Sequence, residues 1–261
     1  MTEALKSATT PDGVTLRYLD TGTGDPPMIF IHGWTCDHTH WRDQVPHFAR
    51  SHRVVAVDLR GHGASDKPDQ DYSIPRFVDD VAGLIRKLGL GKPVVIGHSM
   101  GGTIAMNLAR KHTGLVRAIV MIDSPIAPLT DHLNPLVEQL LAGLQTPTYS
   151  VIAAGFVRMN MFNTASPAQL VEEIVADMAG APQRVMHTAL ASTLAPESRA
   201  AGPIPLPALY IRAATNFASE EQLRQRFPGL EVTDVQAAHF LQMEKPQETN
   251  SIIGRFVDGL V

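Results

Sequence analysis

The segment Val94-Val95-Ile96-Gly97-His98-Ser99-Met100-Gly101-Gly102 limits what this chain can fold into more than any other stretch. Three β-branched residues read as a buried strand that runs into G-x-S-x-G. The following Thr103-Ile104-Ala105-Met106-Asn107-Leu108-Ala109 reads as a helix. A serine on such a strand-to-helix turn sits in a strained backbone, and Gly97 and Gly101 remove side chains that would collide there. Its hydroxyl then stands at the carboxyl edge of a sheet, at the positive end of a helix. The bare pattern is common; strand, turn and helix in that order are much less so.

The rest of the chain supplies a sheet for that turn. Strands are expected at Val14–Leu19 (after the turn Pro11-Asp12-Gly13), Met28–Ile31, Arg53–Asp58, Arg117–Asp123, Ala208–Arg212 and Leu230–Val235. Helices are expected at Trp41–Arg50, Ile74–Leu88, Glu220–Phe227 and about Pro246–Val257. In the second of these, Phe77, Val81, Leu84, Ile85 and Leu88 form one apolar stripe. This alternation predicts an α/β fold, a mostly parallel sheet flanked by helices. From Ser124 to about Pro203 no long β-branched run appears, and Pro135, Pro147, Pro167, Pro182 and Pro196 punctuate helical pieces. Residues 124–203 therefore read as an inserted helical cap, with 1–123 and 204–261 as the two parts of the sheet domain.

Composition narrows the partners. A 44% hydrophobic content over 261 residues is ample for a large core, and the net charge of −4 comes with no basic run. Nucleic acid and anionic membranes are thus not expected partners. No stretch approaches the ~20 apolar residues of a spanning helix, and Met1–Ala8 has no apolar core of a secretory signal. The single Cys36 cannot form an internal disulfide, which fits a cytoplasmic protein. Oligomeric state is left open.

Four motifs in register, His32-Gly33-Trp34, Asp58-Leu59-Arg60-Gly61-His62-Gly63, the Ser99 turn and Ala238-His239-Phe240, resemble the α/β-hydrolase superfamily across essentially the whole chain. The order of nucleophile before histidine agrees with it. An alcohol is a poor nucleophile at neutral pH, so a histidine must take the proton of Ser99 as attack proceeds. His239 is the candidate, placed after a strand and the small turn Ala237-Ala238. Acyl transfer builds negative charge on a carbonyl oxygen, which backbone N–H groups must meet. The resemblance assigns that task to the amides of Met100 and Trp34.

The acid departs from the common pattern. Most members of the superfamily carry it just after the strand corresponding to Ala208–Arg212, but here that loop reads Ala213-Ala214-Thr215-Asn216-Phe217-Ala218-Ser219, without a carboxylate. Asp123 ends the preceding strand, a position some members use, so it is the expected partner of His239. Asn216 is the alternative, since an amide oxygen can also orient an imidazole.

Two further groups bear on the substrate. Cys36-Asp37-His38-Thr39-His40 has metal-binding residue types but no second ligand group at a recognisable spacing, so neither a metal nor a cofactor is expected. His38 and the side chain of Trp34 are expected to border the substrate, and Asp58, Arg60 and His62 to be structural. In the cap, Phe156 and Met159 are expected to line an apolar pocket, with Met161, Phe162, Met178 and Met186 nearby in sequence. The reading is a serine hydrolase cleaving an ester or lactone of a hydrophobic small molecule through an acyl-enzyme. The alternative is a cofactor-free dioxygenase cleaving a quinolone-type ring. That family shares the His-Gly-Trp loop and the acid position, and its His–Asp pair acts as base; Met100 stands where it commonly has a second histidine. The serine also argues against dehalogenases and epoxide hydrolases, whose resemblance would put Asp at the turn.

Overall fold

The computed structural model describes residues 4–129, 133–214 and 218–260. One sheet holds eight strands, β1 (Lys6–Thr9), β2 (Thr15–Thr21), β3 (Met28–Ile31), β4 (Val54–Asp58), β5 (Val94–His98), β6 (Ala118–Ile122), β7 (Ala208–Ala213) and β8 (Glu231–Val235). Their order is β1-β2-β4-β3-β5-β6-β7-β8. From β4 to β8 all neighbours are parallel, while β2 runs antiparallel to both β1 and β4. The helices are α1 (Val45–Phe48), α2 (Ile74–Lys87), α3 (Met100–Lys111), α4 (Leu133–Gly143), α5 (Tyr149–Asn160), α6 (Ala168–Ala179), α7 (Gln183–Leu194), α8 (Glu220–Arg226), α9 (Leu241–Glu244) and α10 (Pro246–Asp258). Among the described residues no helix is long and apolar enough to cross a membrane.

Every residue of β3, β4, β5 and β6 is buried, as continuous apolar runs require of a sheet covered on both faces. Alternation sends Ile29, Ile31, Val55, Val57, Val95 and Met121 into one core, with Phe77, Val81 and Ile104 of α2 and α3. Met28, Phe30, Val54, Ile96 and Val120 enter the opposite core, with Phe48 of α1 and Ile253 of α10. The direction in which successive strands are added reverses between β3 and β5, which remain parallel, so the loops leaving them diverge and open a crevice at their carboxyl ends.

Helices α4 to α7 lie between β6 and β7, where the cap was expected. α7 is fastened to the start of α2: the Tyr72 amide donates to Thr188 Oγ1 at 2.9 Å and the Ile74 amide to Ser192 Oγ at 3.0 Å. Two expectations need correcting. In place of a helix over Trp41–Arg50 there is a 3₁₀ turn, His38–Trp41, and the four-residue α1. Pro46 lacks an amide hydrogen and so fits only the first turn of a helix, which forces a restart there. Strand β1 was not anticipated, because Lys6-Ser7-Ala8-Thr9 shows no apolar alternation; it pairs as a polar edge strand across the turn at Gly13.

Candidate active site

Sheet register aligns the ends of three central strands. Ile31 pairs with Gly97, and His98 with Ile122, so Gly33, Ser99 and Asp123 emerge side by side. The Ser99 amide donates to Ile122 O at 2.8 Å and the Asp123 amide to Ile211 O at 2.8 Å, extending the ladder by one residue on each side. Beyond it the backbone turns sharply. Thr35, Ser99 and Asp123, with φ of 56°, 53° and 39°, are the non-glycine residues at positive φ among those described. Each such residue costs on the order of 1–3 kcal/mol, and all three lie on the loops leaving β3, β5 and β6.

Glycines let these loops close up. A Cβ on Gly97 would lie 2.1 Å from Gly101 O, and one on Gly101 the same distance from Ile31 O. Helix α3 therefore begins in contact with the strands beneath it. Ser99 is its N-cap, yet the side chain makes no capping bond, so the hydroxyl is not spent on the helix. Ser99 keeps 8% exposure. Met100 is the first residue of α3, where an amide has no partner within the helix. A Cβ on Gly33 would lie 3.3 Å from Ser99 Cβ, so the loop after β3 packs directly on the serine. His32 holds that loop: one ring nitrogen (Nδ1) lies 2.8 Å from Gly33 O, and the other accepts from the Leu59 amide at 3.0 Å. Burial lowers the His32 pKa, keeping the neutral ring this bridge needs.

His239 lies in the loop between β8 and α9. Its Nδ1 is 2.7 Å from Asp123 Oδ2, and both side chains are essentially buried, at 3% and 0% exposure. The other Asp123 oxygen accepts from the Ala213 amide at 3.3 Å. A carboxylate on Nδ1 fixes the tautomer and leaves Nε2 to work as a base. His98, beside Ser99 in the chain, donates from Nε2 to the carbonyl of His239 at 2.9 Å; the two rings are 4.6 Å apart. Burial and the nearby His239 lower the His98 pKa, so this ring too is neutral. The turn bearing Ser99 and the loop bearing His239 are thereby in direct contact.

The other expected residues divide. Trp34 is buried and its indole donates to Met186 O at 2.8 Å, tying the loop after β3 to α7. His38 turns away to Asp58, with ring Nδ1 and backbone amide each 2.8 Å from Oδ1. Asp58 also accepts from the Ala64 amide at 2.9 Å, and Arg60 pairs with Asp80 and Asp12, so this loop is a structural network. Asp37, His38 and Asp58 come within 4.8 Å of one another. Asp37, however, caps the 3₁₀ turn through the Thr39 amide, and Cys36 points at Trp34 O. Phe156 is half-buried against the core. Met159 corrects the expectation: it is 81% exposed, because it lies about 200° around the helix from the buried Val157. Asn216 lies outside the described residues. Sequence reasoning passed over His98 and Gly33, although both stand inside the quoted motifs.

The family model described as "alpha/beta hydrolase fold" matches residues 26–159. A 2-(acetamidomethylene)succinate hydrolase from Mesorhizobium japonicum is 30% identical over 264 residues, covering 94% of this chain and 92% of that protein. Epoxide hydrolase 3 from Xenopus tropicalis is 35% identical over 116 residues, 43% of this chain but only 32% of the relative. Among solved structures, an N-acyl homoserine lactone degrading enzyme superposes with a TM-score of 0.81 at 27% identity, covering 96% of this chain and 100% of the other.

Proposed function

Because this chain belongs to the alpha/beta hydrolase fold family, we propose that it is a serine hydrolase that cleaves a carboxylic ester or lactone of a hydrophobic small molecule. The observation that carries this reading is the buried His239–Asp123 pair at 2.7 Å, on loops that meet the turn bearing Ser99. In the proposed cycle Ser99 Oγ attacks the carbonyl carbon while His239 Nε2 takes its proton. The amides of Trp34 and Met100 receive the charge that develops on the carbonyl oxygen. The imidazolium then protonates the leaving alkoxide, and an acyl-serine remains. Water, deprotonated by His239, attacks that ester, and the collapse of the second tetrahedral intermediate returns Ser99 its proton and frees the acid. Asp123 stays ionised throughout and holds the ring.

Support for an acyl substrate over an epoxide comes from the serine at the turn, since the resemblance assigns epoxide opening to an aspartate there. Support for an apolar substrate comes from the surroundings of His239, where Met161, Phe162 and Phe240 are buried. A fluorophosphonate probe with a panel of p-nitrophenyl esters and lactones tests the reading. Ser99 should be labelled, and Ser99→Ala should lose labelling and on the order of 10⁶-fold in kcat. If Ser99→Ala kept its turnover while His239→Ala lost it, with oxygen consumed on quinolone substrates, the base-driven oxygenase would replace the hydrolase.

A further inference from the structure

The inserted helices reach the backbone of His239 itself. Met161 caps the C-terminal end of α5, its own amide still bonding back to Val157 O. The carbonyl of Met161 lies at the helix end, where carbonyls find no N–H donor within the helix. It accepts the backbone amide of His239 at 3.2 Å. Next in the chain, Phe162 stacks on Phe240, with centroids 5.4 Å apart and planes 16° from parallel. A third link passes through Glu244, whose Oε2 accepts from Ser166 Oγ at 3.0 Å and from the Ala238 amide at 3.4 Å. Of three consecutive residues, His239 and Phe240 are thus held directly by the segment joining α5 to α6, and Ala238 through Glu244.

From the sheet side, the same residues are held by His98, which donates to the His239 carbonyl and lies 5.0 Å from the Phe240 ring. The base is therefore clamped between the turn that carries the nucleophile and a segment that is not part of the sheet. We propose that Met161, Phe162 and Ser166 are positioning residues for His239, so that the His–Asp pair is in working order only while the insert is seated. This rests on His239 acting as the base. Physically, the C-terminal end of a twelve-residue helix carries partial negative charge. Its approach to the loop favours the positive charge that the imidazole gains as it accepts the serine proton. Lifting the insert removes an amide partner, a stacked ring and that field together.

The test is Phe162→Ala beside Phe162→Tyr, which keeps the stack, with Val151→Ser on the exposed face of α5 as control. Two readouts are used: steady-state hydrolysis of a p-nitrophenyl ester, and the downfield proton NMR resonance of the imidazole Nδ1–H bonded to Asp123. Phe162→Ala should lower kcat by about 100-fold with KM changed less than threefold, and should broaden or abolish the resonance. Phe162→Tyr should restore both, and Val151→Ser should alter neither. Unchanged kcat and resonance in Phe162→Ala would overturn the proposal, as would an equal loss in Val151→Ser or a loss confined to KM. The resonance needs no turnover: were it lost in Phe162→Ala in a protein that cleaved no ester, the clamp would stand and the hydrolase reading would fall.

Discussion

Strand β5 and helix α5 are both apolar segments of this chain, yet the protein treats them differently. All five residues of β5 are buried and the strand is paired on both sides, by β3 and β6. Helix α5 has twelve residues and buries only Ala153 and Val157, leaving Val151 at 72% exposure and Met159 at 81%. A group on the end of β5 inherits the rigidity of a ladder with neighbours on either side, whereas a group at the end of α5 is placed by a few contacts. Ser99 and Asp123 directly follow strands of the first kind, whereas Met161 follows a helix of the second.

The comparison is most severely tested at Asp123. If the sheet edge supplies the reactive geometry, Asp123→Asn should keep the fold but cut kcat for a good ester by about 10⁴-fold, since the amide presents the wrong tautomer to His239. A loss below tenfold would move the orienting role away from β6. The same substitution in the two regions should then have opposite signs. Gly97→Ala forces a Cβ to within 2.1 Å of Gly101 O and should cost about 3 kcal/mol or more in urea unfolding. Gly155→Ala, on α5 with nothing within 4 Å, should instead add about 1 kcal/mol. Equal effects would erase the distinction.

A smaller effect is expected from pH. Burial lowers the pKa of His32, His62 and His98, with His62 at about 3 against an ordinary 6.5. Below pH 6.5 the unfolded chain binds protons that these folded rings refuse, so their contribution is full above 6.5 and lost as pH falls toward 3. Burial also acts on His38 and His40, but Asp58 raises the first, and Cys36 and Asp37 raise the second to about 10. Their contribution has the opposite sense, present below 6.5 and lost as pH rises toward 10. His98 ends β5, and the other four belong to the segments that follow β3 and β4. The melting temperature should fall by several degrees from pH 7 to pH 4, measured by calorimetry, and His62→Asn should flatten that fall; a steeper fall in the variant would contradict it.

Much of this was legible in the residues alone. The strand, turn and helix around Ser99 follow from local pattern, because β-branched runs and glycines act over a few positions. Asp123 became the expected acid because the loop after β7 has no carboxylate, and the structure puts it on His239. What was not legible depends on contacts distant in the chain. Met161 acts through a backbone carbonyl, which no side chain announces, and its partner lies 78 residues away. His38 was expected beside the substrate from its loop, but Asp58, twenty residues on, claims both its ring and its amide. Met159 was assigned to a pocket by its apolarity, and only the angle at which α5 docks sends it outward. Helix periodicity predicts a stripe without saying which stripe meets a neighbour.

The positive φ values at Thr35, Ser99 and Asp123 carry a consequence for anyone engineering this molecule. Glycine at any of the three would relieve the backbone, so selection for heat tolerance alone gains durability by eroding the reactive centre. Screens for a hardier catalyst should score turnover in every round, and draw their stabilising changes from the outer surface of the helical insert.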